Sequence, residues 1–182
     1  ASTVWMANLM AEFLPAGVFN VVCGERETGA SLVNHARPDM VSITGSVGAG
    51  IQVAESAAKQ VKRVHLELGG KAPVVVFADA DLAAAAEAIA IAGYFNAGQD
   101  CTAATRVIVQ DSVYDEFVGL LTEQAKAIAI GAPADEDVFL GPVNNVNQLA
   151  RVSDLLSRVP SHAQVMAGGS ALDRPGFFFP AT

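Results

Sequence analysis

Hydrophobic and polar positions along the chain change period from helical to strand-like several times before residue 70. Apolar residues recur at helical spacing near the start, which is typical of an amphipathic helix, and short β-branched runs follow. The predicted elements are a helix at 3–14, a strand at 18–22, a helix at 30–36, a strand at 40–44, a helix ending near residue 60 and a strand at 64–68. This alternation with short joints predicts βαβ units and a parallel sheet.

The alternation starts again after the glycine pair Gly69-Gly70. Asp81 is a suitable N-cap for an alanine-rich helix, and the pair of glycines predicts a domain boundary. The second set of predicted elements is a strand at 73–77, a helix at 82–94, a strand at 105–109, helices at 113–130 and 143–159, and short strands at 163–167 and 177–179. The predicted fold class is therefore α/β.

The composition changes this picture by indicating extra buried surface. The chain of 182 residues is 52% hydrophobic and only 16% charged, which is more apolar than an ordinary domain of this size. Glu87 interrupts the longest apolar run, so no membrane span is expected. A net charge of −8 and the lack of a large basic cluster exclude a phosphate-backbone binder, and no nucleic acid is expected as a partner.

The two ends of the chain and its two cysteines indicate in which compartment the protein is expected. The first residues lack the pattern of a signal peptide, and both ends are expected to lie inside a longer polypeptide. Cys23 lies in an apolar run and Cys101 in a polar turn; a disulfide is the alternative, but two reduced thiols in a cytoplasmic protein are favoured. The three histidines have no metal-ligand spacing, so they are interpreted as surface or strand-packing residues and no metal site is expected.

Two side chains are candidates for covalent chemistry. Cys101 lies in the glycine-containing turn at 95–102, where a thiol can reach a bound molecule; an inert small residue is the alternative. Glu67 lies at the carboxyl end of a predicted strand, where ligands bind in open α/β sheets. It suits a general base, and a structural glutamate that caps a loop is the alternative.

A third candidate is the segment Thr44-Gly45-Ser46, which follows a strand and opens a helix. N–H groups at the helix start and the Ser46 hydroxyl would form an anion site for a phosphate, whereas an ordinary serine cap is the alternative. The segment is not a Walker loop. Nor is there a GxGxxG fingerprint, because the segment from Gly24 to Gly29 keeps only its outer glycines.

Taken together, these motifs resemble the aldehyde dehydrogenase superfamily. The matching segments are LELGGK at 66–71, FNAGQDC at 95–101 and TGS at 44–46, in the order and spacing of that family, and the resemblance covers essentially the whole chain. Supporting matches are FADAD at 77–81, YDEF at 114–117, GP at 141–142 and GFFFP at 176–180. Within the family, residues 62–65, 71–73 and 98–104 are most similar to the γ-aminobutyraldehyde dehydrogenase group.

The resemblance implies a fold and a reaction. Residues 1–69 would be the C-terminal portion of a Rossmann-like, parallel-sheet cofactor domain, and residues 70–182 the N-terminal portion of an α/β catalytic domain. The reaction would be NAD(P)-dependent oxidation of an aldehyde to the acid through a thiohemiacetal and a thioester on Cys101. Glu67 would activate the hydrolytic water, and the Cys101 N–H would form half of an oxyanion site.

The resemblance also implies a set of cofactor contacts and partners. NAD is the expected cofactor, with NADP open. Asp100 beside the cysteine hints at a cationic amino-aldehyde as the small-molecule substrate, and the full-length parent is expected to be a homo-oligomer. The cofactor-binding candidates are Thr44, Gly45 and Ser46 at the pyrophosphate, Leu68 and Gly69 along the nicotinamide, Gln148 and Arg151 at the nicotinamide-side ribose, and Gly29 in the adenine-side loop. Arg151 stands where lysine is commoner in the family.

Segments of the family that complete the oxyanion site and the cofactor cleft have no counterpart in these residues. The segment alone is therefore expected to be inactive or nearly so. The alternatives are a non-catalytic cofactor-binding module and a purely structural fragment.

Overall fold

A computed structural model describes residues 2–182, and the chain separates into two compact units. The first unit ends at Leu68, and the second is Gly69–Thr182. Each unit contains one pair of parallel strands with helices beside it. The assignment of the units to a cofactor-binding and a catalytic domain stays a prediction.

The first unit is built around two parallel strands. Its elements are α1 (Ser2–Met10), α2 (Arg26–Asn34), β1 (Met40–Gly45), α3 (Val47–Ala58) and β2 (Arg63–Leu68). Helix α3 packs closely on β2, because a Cβ atom added to the buried Gly50 would lie 2.6 Å from Leu68 Cδ2. Side chains alternate between the faces of a strand. Leu68 therefore faces α3, while His65 and Glu67 lie on the opposite face.

The second unit has a core between its strand pair and two helices. Its elements are β3 (Pro73–Val76), α4 (Leu82–Tyr94), a 3-10 turn (Phe95–Gly98), β4 (Arg106–Val109), a second 3-10 turn (Asp111–Val113), α5 (Tyr114–Ala127) and α6 (Val146–Ser157). Strand β3 pairs in parallel with β4. This core cluster contains Val76, Ala86, Ile89 and Phe117, of which Ala86 and Phe117 are fully buried. Asp81 caps α4 as expected, accepting a 3.1 Å hydrogen bond from the Ala84 N–H.

The α/β class with parallel strands is confirmed, but three predicted strands are wrong. Residues 18–22, 163–167 and 177–179 form no strands. A strand needs a neighbouring backbone to pair its N–H and C=O groups, and these runs make isolated bonds instead, such as Val143 N–H to the Phe177 carbonyl at 2.9 Å. Phe178 and Phe179 are nevertheless buried. Their hydrophobicity therefore reflects packing and not membership of a sheet.

Several helix boundaries differ from the predicted spans. Helix α2 begins at Arg26, so Gly29 lies inside a helix and not in a turn. Helix α3 begins at Val47, directly after its cap Ser46, as expected for a segment that opens a helix. Helices α1, α5 and α6 are shorter than the predicted spans. None of the helices within residues 2–182 has the length and apolar character needed to cross a membrane.

Candidate active site

The end of the first strand pair brings several candidate residues together. In the parallel register, Thr44 lies opposite Glu67, and Gly45 lies opposite Leu68. Both strands end at this edge. The carboxyl edge of a parallel sheet is the place where open α/β sheets bind ligands. The candidate phosphate-binding segment and the candidate base therefore share one edge of the first unit.

The start of α3 has the donors that a phosphate needs. The Ser46 side chain caps this helix by accepting a 3.2 Å hydrogen bond from the Ala49 N–H. A hydroxyl that accepts one hydrogen bond can still donate its own proton. The N–H groups of a first helical turn lack partners within the helix, and the helix dipole favours negative charge there. This donor set fits the pyrophosphate of a dinucleotide.

Glu67 is exposed, and its carboxylate has a single side-chain partner. The two neighbouring leucines lie on the other face of β2 and do not enclose it, so 55% of the Glu67 side chain is exposed. Oε1 lies 2.8 Å from His65 Nε2. An ionised carboxylate can only accept, so the imidazole Nε2–H donates this hydrogen bond.

The contact of His65 with Glu67 was not predicted from the sequence. Histidine two positions before a strand glutamate lies on the same face of the strand, and that spacing is the signal that could have identified the pair. His65 is itself 56% exposed. It contacts Glu67 from within the same strand.

Cys101 lies in an exposed turn whose preceding backbone is unusual. Asn96 and Ala97 have φ angles of 53° and 55°, and Gly98 has 75°. Positive φ is uncommon for residues other than glycine and is often retained at functional sites. The Asn96 side-chain amide donates a 3.0 Å hydrogen bond to the Gln99 carbonyl, which supports this backbone. The thiol of Cys101 is free and exposed.

Asp100 and Thr102, the residues on either side of Cys101, are joined by hydrogen bonds. Asp100 Oδ1 accepts hydrogen bonds from the Thr102 N–H and from the Thr102 hydroxyl, both at 2.9 Å. The Thr102 N–H, and then its hydroxyl, lower the pKa of Asp100 below the ordinary value of a carboxyl group. Gly70 packs nearby, since a Cβ atom added there would lie 3.7 Å from the Cys101 carbonyl oxygen. Asp100 therefore shapes the cysteine turn.

The remaining candidates lie in other elements, and their roles stay predictions. Gln148 is in the first turn of α6, where its N–H donates a 2.9 Å hydrogen bond to Asn145 Oδ1. Arg151 is exposed on the same helix. Gly29 is in α2, and Gly69 follows β2 directly. Within the described residues, 2–182, no three His, Cys, Asp or Glu side chains are grouped so as to hold a metal ion.

Comparison with known proteins decides the family. The sequence model of the aldehyde dehydrogenase family matches residues 1–182, the whole chain. The chain belongs to the aldehyde dehydrogenase family. The superfamily resemblance of the sequence is thereby confirmed, whereas the narrower likeness to γ-aminobutyraldehyde dehydrogenases stays a prediction.

Individual family members are similar in sequence and in structure. The lactaldehyde dehydrogenase of Escherichia coli is 45% identical over 172 residues, which are 93% of this chain and 36% of that enzyme. Cytosolic aldehyde dehydrogenase 1 of Rattus norvegicus is 42% identical over 100% of this chain and 37% of its own. The crystal structure of the betaine aldehyde dehydrogenase of Staphylococcus aureus with NAD+ has a TM-score of 0.93 at 33% identity, over 98% of this chain and 37% of that one. This aldehyde dehydrogenase chain thus spans little more than a third of the relatives that it matches.

Proposed function

We propose that the native protein containing this chain oxidises an aldehyde to the carboxylic acid with NAD. The family match along all 182 residues carries the proposal. Relatives named for lactaldehyde and betaine aldehyde support the substrate class, and a structural neighbour in complex with NAD+ supports the cofactor. An NADP-dependent enzyme of Escherichia coli, with a TM-score of 0.91 at 39% identity, keeps NADP as the alternative.

In this proposal, Cys101 is the nucleophile. Its exposed thiol, as the thiolate, attacks the aldehyde carbon, so that a C–S bond forms and the carbonyl oxygen becomes an oxyanion. The N–H of Cys101 has no acceptor among the described residues, so it can donate to that oxygen. NAD, when bound, would supply the acceptor for the hydrogen and electron pair of the aldehyde carbon, and the oxyanion would regain its C=O bond as they depart. A thioester on Cys101 results.

Glu67 is the general base of the second half of the reaction. Its carboxylate takes a proton from water while the water oxygen attacks the thioester carbon. The C–S bond then breaks, the acid leaves, and Cys101 returns as a thiolate. Glu67 Oε1 already accepts a hydrogen bond from His65, so Oε2 is the oxygen that we assign to the water.

The cofactor contacts follow the strand edge of the first unit. Thr44, Gly45 and Ser46 would hold the pyrophosphate at the start of α3, with Leu68 and Gly69 beside the nicotinamide. The family resemblance alone assigns the remaining cofactor contacts, which are made by Gln148, Arg151 and Gly29. In this proposal, residues 1–69 belong to the cofactor-binding domain and residues 70–182 to the catalytic domain.

The setting of the enzyme is part of the same proposal. Two free, exposed thiols suit a reducing compartment such as the cytoplasm. Large exposed apolar side chains, such as Trp5 at 66% and Phe13 at 73%, support association with further polypeptide, including a homo-oligomer. We propose that residues 1–182 alone are inactive or nearly so, and the experiments therefore use the native protein.

The direct test compares the native protein with two cysteine variants. NADH formation is measured with a panel of small aldehydes, including cationic amino-aldehydes. Activity should be present in the native protein, lost in Cys101→Ser, and retained in the matched control Cys23→Ser. Absence of NAD- or NADP-dependent oxidation from the native protein, for every aldehyde tested, would show the proposed function to be wrong.

A further inference from the structure

The strand that carries the proposed base also carries a side chain bound to it. His65 Nε2 lies 2.8 Å from Glu67 Oε1, which is a short hydrogen bond to a charged acceptor. The two residues are two positions apart on β2, so both side chains leave the same face of the strand. Opposite them on β1 stand the small polar residues Ser42 and Thr44.

The opposite face of β2 explains why this pair is held in place. Leu68 packs against the buried Gly50 of α3, with no room for a Cβ atom between them. That contact fixes the rotation of the strand, and His65 and Glu67 are thereby kept on the face away from α3. Arg63 is the other charged residue of β2 on this face, and its side chain makes no hydrogen bond or ion pair within residues 2–182.

The His65–Glu67 pair contributes little to folding, since both side chains are more than half exposed. An exposed hydrogen bond can still select one rotamer of a flexible glutamate. Holding Oε1 turns the carboxylate so that Oε2 is presented to one side only. The effect of the contact should therefore be seen in what Glu67 does and not in whether the chain folds.

We propose that His65 is a positioning residue, which orients Glu67 for attack by water on the Cys101 thioester. This inference rests on the proposed function. It predicts that loss of the His65 N–H donor slows thioester hydrolysis and leaves acylation of Cys101 unchanged. A residue of general structural importance would slow both steps together.

A nitrophenyl ester separates the two steps without cofactor. With p-nitrophenyl acetate, the Cys101 thiolate forms a C–S bond to the acetyl carbon and nitrophenolate leaves. Water activated by Glu67 then releases acetate, and no oxidation occurs at any point. In the native protein free of NAD, the initial burst of nitrophenolate reports acylation, and the later linear phase reports hydrolysis.

The variants are His65→Leu, which removes the donor, and His65→Gln, which keeps a side-chain N–H of similar reach. In His65→Leu the linear phase should fall about threefold to tenfold, the range expected for one charged hydrogen bond that is partly screened. The burst rate should stay the same, and His65→Gln should recover most of the loss. His162→Leu, an exposed histidine in the second unit, is the matched control and should match the native protein in both phases.

A double-mutant cycle tests whether His65 acts through Glu67. In a Glu67→Gln background the linear phase should already be slow, and His65→Leu should slow it no further. Equal rates for His65→Leu and the native protein would overturn the inference. So would a parallel fall of burst and linear phase, a failure of His65→Gln to recover the rate, or additive effects in the cycle.

Failure of the proposed function is recognised separately. If the native protein shows neither NAD(P)-dependent aldehyde oxidation nor a burst that depends on Cys101, the proposed function and the role of His65 fall together. If the native protein oxidises aldehydes and the His65 variants behave like it, only the positioning role is wrong.

Discussion

The carboxylate of Asp100 and the side chain and N–H of Thr102 close a small ring of hydrogen bonds around Cys101. Both contacts to Asp100 Oδ1 measure 2.9 Å, and the residue between the two partners is the cysteine. Aspartate that accepts from the N–H two residues further on forms an Asx turn. The geometry of the proposed nucleophile therefore depends on a neighbour that need not touch the substrate.

Replacing Asp100 tests this dependence. Asp100→Ala should slow alkylation of the Cys101 thiol about threefold to tenfold, because the turn loses two charge-assisted hydrogen bonds in an exposed position. Asp100→Asn keeps a neutral hydrogen-bond acceptor, so its alkylation rate should fall less than that of Asp100→Ala. The measurement is the rate of Cys101 alkylation by iodoacetamide in the native protein, followed by peptide mass spectrometry. Asp173→Ala, an exposed acid elsewhere in the second unit, serves as the control. Unchanged alkylation in Asp100→Ala would show that the turn does not need the carboxylate.

The same hydrogen bonds predict a pH dependence. They lower the pKa of Asp100 in the folded protein, so their stabilisation is complete above the ordinary carboxyl pKa and is lost as the pH falls through the folded value. The Thr102 amide proton should therefore keep its neutral-pH chemical shift down to about pH 4 and change only in more acidic solution. The same titration of Asp100→Asn should show no such change. A transition of the Thr102 amide well above pH 4 would contradict the direction of the shift.

An element that depends on local sequence signals was predicted correctly, whereas an element that depends on a distant partner was not. The helix predicted at 82–94 coincides with α4 (Leu82–Tyr94), because its cap and its alanine-rich sequence are local signals. The strand predicted at 18–22 is wrong, because a strand also needs a partner that its own sequence does not specify.

The candidate site shows the same division. Residue types and spacing identified Cys101, Glu67 and the segment around Ser46, and the strand register then placed Glu67 opposite Thr44. The contacts of His65 and Asp100 depend on side-chain rotamers. Motif spacing alone does not determine the rotamers, although the sequence shows that the partners in each contact, His65–Glu67 and Asp100–Thr102, are two positions apart.

Ser46 has two separable roles in this account, as helix cap and as phosphate ligand. Aspartate is as good an N-cap as serine and suits the helix dipole, but its charge repels a phosphate. Ser46→Asp should therefore leave the thermal unfolding temperature nearly unchanged while raising the Kd for NAD about tenfold or more. Ser46→Ala should instead destabilise the protein by about 1 kcal/mol through loss of the cap.

Isothermal titration with NAD and thermal unfolding of the native protein separate these effects. If Ser46→Asp bound NAD as tightly as the native protein, Ser46 would be a helix cap only and not a phosphate ligand.

The contact of Gly50 with Leu68 predicts a steric effect on the cofactor edge. Gly50→Ala would place its Cβ 2.6 Å from Leu68 Cδ2, so the leucine must move or α3 must shift, at a cost of about 1–3 kcal/mol. We expect lower stability and a higher KM for NAD. Gly119→Ala in α5 is the matched control, because nothing lies within 4 Å of its Cβ position, and it should stabilise that helix by about 0.5–1 kcal/mol.

A second change distinguishes the steric cause from a general effect. Leu68→Ala in the Gly50→Ala background should recover part of the lost unfolding free energy, because the clash is removed. Additive losses in the two variants would contradict a direct Gly50–Leu68 clash.

The central claim is that Cys101 carries the acyl intermediate and Glu67 releases it. The most direct measurement is mass spectrometry of the Cys101 peptide after the Glu67→Gln variant of the native protein has reacted with an aldehyde and NAD. The account predicts that the acyl group of the substrate accumulates on Cys101, with about one NADH formed per site, and that Cys101→Ser forms neither product. An unmodified Cys101 peptide in Glu67→Gln, together with full NADH formation by Cys101→Ser, would contradict it.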